Sequence, residues 1–338
     1  PRREVPVHKR ECDEPRCDLD YAQVMGQHAA KRALQVAAAG GHHVLMVGPP
    51  GSGKTMMARR IPSILPLLDD DEALENAKIS SVVGRLDGRS ISYVRPFRAP
   101  HHSASDAGLV GGGRGASPGE ITLAHNGVLF LDELTEFRRN VLETLRQPVE
   151  EGRIVISRAN ACCSYPARFQ LIAAMNPCPC GYFGSSDHIC RCSPLQVKRY
   201  LSKVSGPLLD RIAIHVPVRA VDPRDMEHRS KRKETGSKEM RKGVLSAVQI
   251  QRDRYRGIDG VKHNADAPVS MLEDLCQIDE EAEELLSAAQ RKLLFSARSR
   301  RNIIQVACTV ADLEGSEFIR VRHIGEAVQY RVPRFLQD

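Results

Sequence analysis

The 338-residue sequence contains no tryptophan, and aromatic residues make up only 4% of it. Proteins that stack nucleic-acid bases on aromatic side chains need more of these residues, so this mode of binding is disfavoured. The formal net charge is +7, which is compatible with a polyanionic partner. Any contact with nucleic acid should therefore be made mainly to phosphates.

Long apolar runs are also lacking. No segment approaches the roughly 18 apolar residues of a membrane-spanning helix, and the first residues, PRREVPVHKRECDE, lack the apolar run of a secretory signal. These absences predict a soluble, cytoplasmic protein without a membrane partner. Because the chain opens on Pro1 rather than methionine, we also expect further sequence upstream.

The ten cysteines are spread over a long chain with no export signal. This distribution favours reduced thiols or a metal site over disulfides. Six of them are most simply interpreted as free thiols: Cys12, Cys17, Cys162, Cys163, Cys276 and Cys308.

The segment HHVLMVGPPGSGKTMMARRIP combines an apolar strand (44–47), a Gly-Pro-rich turn and a helix that should end near Pro62. It matches the pattern G-x-x-x-x-G-K-[ST] in the strand-loop-helix context that the motif requires. Glycines let successive backbone N–H groups face phosphates, while Lys54 supplies a positive charge and Thr55 a hydroxyl for Mg²⁺. The candidate nucleotide-binding residues are Gly48, Pro49, Pro50, Gly51, Ser52, Gly53, Lys54 and Thr55.

A second apolar strand (128–131) is followed by two acids, in GVLFLDELTEF. Ligands of open α/β sheets bind at the carboxyl ends of the strands, where Asp132 would lie. We expect Asp132 to hold Mg²⁺ and Glu133 to polarise the attacking water. The alternative is that the two acids cap a helix.

Two later segments could complete such a site. RFQLIAAMNP is an apolar strand that ends in Asn176, whose amide could orient the water, although an asparagine before proline is also typical of a turn. In SGPLLDRIAIHVPV a short helix presents Arg211 immediately before a strand. A permanent positive charge there suits stabilisation of phosphate charge in the transition state, and a ring is required if it serves a neighbouring subunit.

These four elements in this order resemble AAA+ ATPases. More narrowly, RPFRAPHHSASDAGLVGGG, LFLDEL, AAMNPCPCGY and GPLLDRI resemble the magnesium-chelatase-like ATPases of the YifB/ComM subfamily, competence-associated branch-migration helicases. The resemblance implies catalytic roles for Lys54, Glu133 and Asn176, and an arginine finger at Arg211. It also implies a sensor arginine at Arg298 on a helical lid, with Arg300 and Arg301 as competing candidates. The segment 20–26 should lie beside the adenine.

The same resemblance implies an ATP- and Mg²⁺-dependent homo-oligomer, a hexamer, that moves on single-stranded or branched DNA during recombination or natural transformation. The subfamily's usual N-terminal domain, which is similar to the Lon protease fold, has no counterpart in this sequence. The alternative is an ATPase that remodels a protein partner, as magnesium-chelatase motor subunits do. A nucleotide-dependent scaffold is disfavoured because Glu133 and Arg211 are both present.

The predicted fold class is α/β: a parallel sheet with flanking helices, followed by an all-α lid. We expect an ATPase core over residues 1–218, a charged linker over 219–243 and the lid over 244–338. The periodicity predicts lid helices over 244–256, 280–294, 299–313 and 322–330.

Two further segments could face DNA. Residues 98–120 should interrupt the second core helix and carry His101, His102 and Arg114 beside a glycine run. Residues 150–169 should form a β-hairpin with Arg153 and Arg158 near its tip, where they could follow a phosphate backbone. The alternative for these arginines, and for the linker residues Arg229, Lys231, Arg232 and Lys233, is an exposed surface with no partner.

Four cysteines lie in one short segment, NPCPCGYFGSSDHICRC (176–192), as two Cys-x-Cys pairs. Their type and number suit a tetrahedral structural Zn²⁺, and Gly181 and Gly184 would let the chain reverse between the pairs. The predicted ligands are Cys178, Cys180, Cys190 and Cys192, with His188 as a spare ligand. Free thiols and disulfides are the alternatives.

Overall fold

The structure of the protein is a computed structural model that describes residues 19–84, 91–112, 117–158, 161–185, 188–220 and 234–331. Within those ranges the side chains of residues 157, 158, 161 and 162 are not described. Several predicted residues therefore lie wholly outside the described residues: Cys12, Cys17, Arg114, Arg229, Lys231, Arg232 and Lys233.

The strands, in chain order, are β1 (Val44–Val47), β2 (Phe97–Arg98), β3 (Gly111–Gly112), β4 (Ser117–Pro118), β5 (Val128–Leu131), β6 (Arg153–Arg158), β7 (Ala161–Pro166), β8 (Gln170–Met175) and β9 (Ile214–Pro217). The α-helices are α1 (His28–Gly40), α2 (Lys54–Ala58), α3 (Asp70–Val82), α4 (Asp106–Val110), α5 (Glu120–Leu123), α6 (Arg139–Thr144), α7 (Arg146–Glu151), α8 (Pro194–Leu201), α9 (Gly206–Leu209), α10 (Ser237–Arg254), α11 (Val269–Leu275), α12 (Glu280–Leu293), α13 (Ala297–Glu314) and α14 (Val321–Gln329). Short 3₁₀ turns cover Tyr21–Gln23, Ile61–Ser63 and Leu134–Glu136.

A five-stranded sheet in the order β2-β5-β8-β1-β9 organises the α/β part. All four pairings between neighbouring strands are parallel. Strands β1, β5 and β8 are buried along their whole length, as expected for apolar runs covered on both faces. Since parallel strands end at one edge, the turns after β1, β5 and β8 meet there.

The two faces of the sheet belong to two apolar clusters. Val44, Met46 and Phe130 point to the face that packs against α1 and the C-terminal helices, whereas Leu45 and Leu131 point to the opposite face. This alternation follows from the two-residue period of a strand. The C-terminal helices therefore share a core with the sheet, and the fold class predicted from the sequence is confirmed.

Helix boundaries show where the predictions differ from the structure. Helix α10 begins at Ser237 rather than at residue 244, because its first turn is fixed to the N-terminal segment: the Ser237 amide donates to Asp20 (2.9 Å), and its hydroxyl accepts from the Tyr21 amide (2.9 Å). Helix α2 ends at Ala58, before Pro62, because proline offers no N–H to continue the ladder and the chain turns into a 3₁₀ turn. The short helix α11 was not predicted.

The two predicted insertions are present as local structures. Helices α4 and α5 flank the antiparallel pair β3–β4, between β2 and β5. Strands β6 and β7 form the predicted hairpin, with Arg153 opposite Pro166 and Arg158 opposite Ala161. Arg158 therefore lies next to the tip, as predicted. The predicted position of Arg153 is wrong: the ladder runs over the whole of both strands, so Arg153 lies at the opposite end of the hairpin. A side chain at Gly111 would come within 2.8 Å of Ile156, so the two insertions are in close contact.

Candidate ATP and metal sites

The loop after β1 has the backbone shape of a phosphate cradle. Gly51 and Gly53 have φ values of +76° and +87°, and a Cβ at either position would meet no atom within 4 Å. Only glycine adopts such angles without strain, and the open space above them leaves the backbone N–H groups accessible to an anion. Gly48 is needed for a different reason: a Cβ there would lie 1.9 Å from the Val218 carbonyl oxygen.

Lys54 is folded into this loop. Its ammonium donates to the carbonyl oxygens of Gly48 (2.7 Å) and Pro49 (2.8 Å) and to the Asn176 side-chain oxygen (3.3 Å). Burial lowers the pKa of Lys54 to about 8, and the charge of Asp132 opposes that shift. The structure therefore brings the lysine, the loop and the end of β8 together.

The predicted magnesium ligands are in direct contact. The Thr55 hydroxyl donates to Oδ2 of Asp132 at 2.6 Å, across 77 residues of sequence. A hydroxyl and a carboxylate oxygen are ligands that suit Mg²⁺ bound together with a nucleotide. The residues present thus fit Mg²⁺ and a nucleotide at this edge of the sheet.

Glu133 is held in an uncommon conformation beside this pair. Its φ is +50°, in the left-handed region, and its amide donates to Oδ1 of Asp132 (3.0 Å). The side chain is 57% exposed, and its Oε2 lies 3.0 Å from Nδ1 of His102. His102, predicted to face DNA, is therefore a neighbour of the predicted catalytic base, a relation that nothing in the sequence spacing indicated.

The neighbouring His101 differs from His102 in its surroundings. It is exposed, and its Nδ1 bonds the Ser103 hydroxyl at 2.8 Å. The two imidazole rings lie 4.1 Å apart between centroids. His101 thus remains free to face a ligand outside the nucleotide site.

The two predicted arginines, Arg211 and Arg298, meet on one carboxylate. Arg211 Nε donates to Oε2 of Glu150 at 3.0 Å, and its terminal nitrogen makes a second, shorter bond to the same oxygen. Arg298 donates to Oε1 of Glu150 at 2.5 Å. Together they keep the pKa of Glu150 below its ordinary value, chiefly through the Arg211 hydrogen bond. Sequence reasoning missed Glu150 because an acid in a surface helix carries no signal of this kind.

These arginines lie at the edge of the sheet opposite the phosphate loop. They line a cavity of about 480 Å³ together with His43, Gly127 and Phe169, which immediately precede β1, β5 and β8. Lys54, Asp132 and Asn176 follow the carboxyl ends of the same strands, about 13–20 Å away across strands of four to six residues. Neither arginine can therefore reach the phosphate loop of its own chain.

Arg300 and Arg301, the alternative candidates for the sensor arginine, have different surroundings. Arg300 turns to Glu283, at 2.7 Å, and so faces another lid helix. Arg301 lines the cavity with Arg298, and burial lowers its pKa. Of the three arginines, Arg298 is the one that shares a carboxylate with Arg211.

The four predicted zinc ligands form one cluster. Their sulfur atoms all lie within 4.8 Å of one another, with Cys178 3.3 Å from Cys180 and 3.7 Å from Cys190. Sulfurs around a tetrahedral zinc, at about 2.3 Å from the metal, are about 3.8 Å apart, whereas a disulfide bond is about 2.05 Å. The arrangement fits a metal site and does not fit disulfides.

Backbone amides support this cluster in the way that amides support metal-bound thiolates. The Phe183 amide donates to the Cys178 sulfur at 3.3 Å. Hydrogen bonds from the Tyr182 amide and then the Arg191 amide lower the pKa of Cys180 to about 6. The His188 ring packs against the Tyr182 ring, with centroids 4.7 Å apart and planes tilted by 52°, and His188 is not a member of the cluster.

The other predicted free cysteines and the hairpin arginines lie outside these two sites. Cys163, Cys276 and Cys308 carry free thiols, as predicted. Arg153 is 63% exposed and pairs with Glu151 at 3.2 Å. Arg158 ends β6, and the structure places its backbone only.

Comparison with known proteins gives the family. Residues 20–226 match the family described as magnesium chelatase, subunit ChlI, and residues 234–331 match the C-terminal part of the same subunit. The chain belongs to the magnesium-chelatase-like AAA+ ATPases. For such an ATPase the implied ligands are ATP and Mg²⁺, and the implied state is an oligomer.

Individual relatives narrow the position of this AAA+ ATPase within the family. Competence protein ComM of Haemophilus influenzae is 45% identical over 320 residues, which are 94% of this chain and 61% of the relative. The YifB protein of Salmonella typhimurium is 43% identical over 317 residues, with the same two shares. The magnesium-chelatase 38 kDa subunit of Cereibacter sphaeroides is 24% identical over 235 residues, 62% of this chain and 60% of that subunit.

These matches confirm the resemblance to the YifB/ComM subfamily. The AAA+ ATPase spans about three fifths of the length of the curated relatives it matches. In the part of the chain that the structure describes, no helix combines the length and apolarity of a membrane span.

Proposed function

We propose that this chain is the ATPase module of a ring-forming motor that moves on DNA, a hexamer that drives branch migration or unwinding during recombination of incoming DNA. One observation carries the ATPase part: the Thr55–Asp132 hydrogen bond and the Lys54–Asn176 contact lie at the same edge of the sheet, beside the open glycine loop. Each contact joins residues far apart in sequence that phosphoryl transfer requires together.

Each residue then has a chemical task. Backbone amides of residues 48–55 and the Lys54 ammonium bind the phosphates of ATP, and Thr55 and Asp132 hold the metal. Mg²⁺, when bound, neutralises charge on the phosphate oxygens. Glu133 accepts a proton from the attacking water, and Asn176 keeps that water oriented. Glu133→Gln should preserve ATP binding and abolish turnover, so retained turnover would assign the base elsewhere.

The ring follows from the positions of Arg211 and Arg298. Both lie at the edge of the sheet opposite their own phosphate loop, so a phosphate that they contact must belong to a neighbouring subunit. A neighbour that presents its phosphate edge to this arginine edge generates a head-to-tail assembly, which is a ring when the rotation between subunits closes. The proposal thus assigns Arg298, like Arg211, to the neighbour's site.

Mixing two inactive variants tests this assignment. Glu133→Gln retains Arg211, and Arg211→Ala retains Glu133, so an interface between the two variants can combine both intact residues. We expect a mixture to recover part of the wild-type ATPase activity that neither variant shows alone. A mixture as inactive as its components, under conditions in which rings form, would contradict catalysis across the interface.

DNA as the substrate is supported by the likeness to a competence protein and by the formal net charge of +7. Arg153 on the β6–β7 hairpin and the exposed His101 are the described candidates for phosphate contacts. Arg158, at the other end of β6, and Arg114, in the segment 98–120, are further candidates. ATPase turnover measured with and without single-stranded and forked DNA tests the proposal. Stimulation by DNA and salt-sensitive binding are expected.

A second function is favoured by the family match to magnesium-chelatase subunits: remodelling of a protein partner. The same assay separates the two, because a remodelling ATPase should show neither DNA stimulation nor salt-sensitive DNA binding. The assay should be repeated across protein concentrations, since turnover that depends on a neighbour's arginine rises with assembly.

We further propose that Cys178, Cys180, Cys190 and Cys192 hold one structural Zn²⁺. The tetrahedral spacing of the sulfurs and the amides aimed at them support this assignment. Elemental analysis of protein purified without chelator should give about one zinc per chain. Zinc well below one equivalent, with the four thiols freely titratable, would reject the site.

A further inference from the structure

We propose that the four-cysteine centre braces the phosphate-binding loop, so that zinc and ATP stabilise each other's binding. This inference rests on the proposed zinc site. It starts from one contact: a Cβ built on Gly181 would lie 2.5 Å from Cδ and 3.2 Å from Cγ of Pro50. Pro50 belongs to the phosphate loop, and Gly181 directly follows the ligand Cys180. The backbone of the cysteine loop therefore packs against the loop that receives the phosphates.

A second connection runs through the chain itself. Cys178 is buried and comes two residues after Asn176, with the buried Pro177 between them. The Asn176 side chain accepts a hydrogen bond from Lys54 at 3.3 Å. A metal that fixes Cys178 consequently restrains Asn176, and through it the position of the Lys54 ammonium.

The shape of the turn explains why glycine is required at residue 181. Its φ is +87°, and its amide donates to the Cys178 carbonyl at 3.0 Å, closing a turn between the first two ligands. This turn brings the Gly181 Cα, and no side chain, against Pro50. Metal binding at Cys178 and Cys180 holds this turn in that shape. The fixed turn then limits the movement of Pro50.

Such coupling is reciprocal by thermodynamic necessity. Removing zinc should loosen the Gly181 turn and weaken ATP binding, and bound ATP should slow the loss of zinc to a chelator. Two sites that do not communicate would show neither effect.

Gly184 provides a matched control in the same segment. It also has a positive φ, +74°, but a Cβ there would meet no atom within 4 Å. Gly181→Ala and Gly184→Ala therefore impose the same kind of backbone strain, and only the first adds a clash with Pro50. The measurements are zinc content and the dissociation constant of a fluorescent ATP analogue, on the full chain.

We expect the dissociation constant of the analogue for Gly184→Ala to lie within about twofold of the wild-type value. Gly181→Ala should retain zinc but bind the analogue about tenfold more weakly than wild type. Pro50→Ala removes the atoms that would clash, so in that background Gly181→Ala should cost less affinity. If Gly181→Ala alone fails to fold, the test is whether the Pro50→Ala background restores folded, zinc-containing protein that binds the analogue; failure to restore it would reject the clash with Pro50 as the cause.

The outcomes separate the two proposals. Wild-type protein without zinc would reject the metal site, and the brace with it. Zinc-containing Gly181→Ala protein that binds the analogue as tightly as Gly184→Ala would reject the brace while leaving the metal site intact. Equal rates of zinc release with and without ATP would reject the coupling in the same way.

Discussion

His102 illustrates how much a single contact changes the role of a residue. Its Nδ1 lies 3.0 Å from Glu133, so the imidazole can fix the orientation of that carboxylate. We expect His102→Ala to lower the ATPase rate constant by up to about fivefold, since a partly exposed contact with a carboxylate contributes about 0.2–1 kcal/mol. ATP affinity should hardly change, because the contact is to Glu133 and not to the phosphate loop.

His101→Ala is the control for this prediction, because its ring bonds Ser103 instead. Steady-state kinetics in the absence of DNA measure both variants. If His102→Ala leaves the rate constant unchanged but weakens DNA binding, the role predicted from the sequence is the correct one, and the contact with Glu133 is incidental.

Lys54 predicts a pH dependence of nucleotide binding. Burial lowers its pKa to about 8, so the amine loses its charge as the pH rises past that value. Phosphate binding requires the charged form, and we therefore expect ATP affinity to fall above about pH 8, by up to about tenfold per pH unit. Titrations from about pH 7.5 to about 9.5 should show this decline together with proton uptake on binding.

The Lys54→Arg variant keeps its charge throughout that range. The comparison concerns only how ATP affinity changes with pH, not its absolute value. For Lys54→Arg we expect ATP affinity to be independent of pH over this range. An equally steep decline in Lys54→Arg would assign the titration to another group.

At the scale of single residues, the sequence was sufficient to predict that the phosphate loop, Asp132 and Asn176 lie together at one edge of the sheet. These residues belong to short motifs next to strands, and parallel strands bring their carboxyl ends together. His102 and Glu150 could not be found in this way. Each contacts a residue that is distant in sequence, Glu133 or Arg211, and such a contact leaves no pattern in local spacing.

At the scale of elements, helix α7 joins the arginine-bearing segments through Glu150. This carboxylate separates charges that would otherwise repel, since Arg211 and Arg298 both bond it and Arg301 lines the same cavity. We expect Glu150→Gln to move the two arginines apart and to lower ATPase activity of the assembled protein about tenfold. ATP binding should be unchanged, because the phosphate loop lies at the opposite edge of the sheet.

The adjacent Glu151→Gln is a matched control. Glu151 lies in the same helix but pairs with Arg153 on the hairpin. Turnover and nucleotide affinity should be measured for both variants at one ring-forming concentration. Equal losses in the two variants, or weaker ATP binding in Glu150→Gln, would argue against a role for this carboxylate in positioning the arginines.

Elements were predicted well where one face is apolar and less well where polar contacts set the boundary. The core strands β1 and β5 have the predicted bounds because a buried parallel strand is a continuous apolar run. The start of α10 was missed by seven residues, because its first turn depends on hydrogen bonds to Asp20 and Tyr21 rather than on an apolar face.

At the scale of the whole molecule, buried histidines join the sheet to the C-terminal helices. His42 precedes β1, and its Nε2 lies 2.8 Å from the Thr309 hydroxyl in α13. That hydroxyl donates to the Gln305 carbonyl, so Nε2 must carry the hydrogen and donate to Thr309. Among the described residues, Nδ1 of His42 has no hydrogen-bond partner, and a proton placed there would be buried without an acceptor.

This arrangement predicts acid sensitivity of the fold. Burial lowers the pKa of His42 to about 3 and of His43 and His215 to about 4, against 6.5 for an ordinary histidine. Below about pH 6.5 these histidines bind protons in the unfolded chain but stay neutral in the folded one. The free energy of unfolding is therefore unaffected above that pH and declines as the pH falls towards about 4. Each histidine contributes a slope of about 1.4 kcal/mol per pH unit.

Thermal unfolding between about pH 7.5 and about 5 measures this decline. His42→Gln, which cannot be protonated, should unfold at a lower temperature than wild type at neutral pH but lose less stability on acidification. His101→Ala should follow the wild-type pH dependence, because that ring is exposed. Since His42 contacts α13 directly, its protonation should separate the C-terminal helices from the sheet. Stability that is constant down to about pH 5 would mean that these histidines find a proton acceptor on folding.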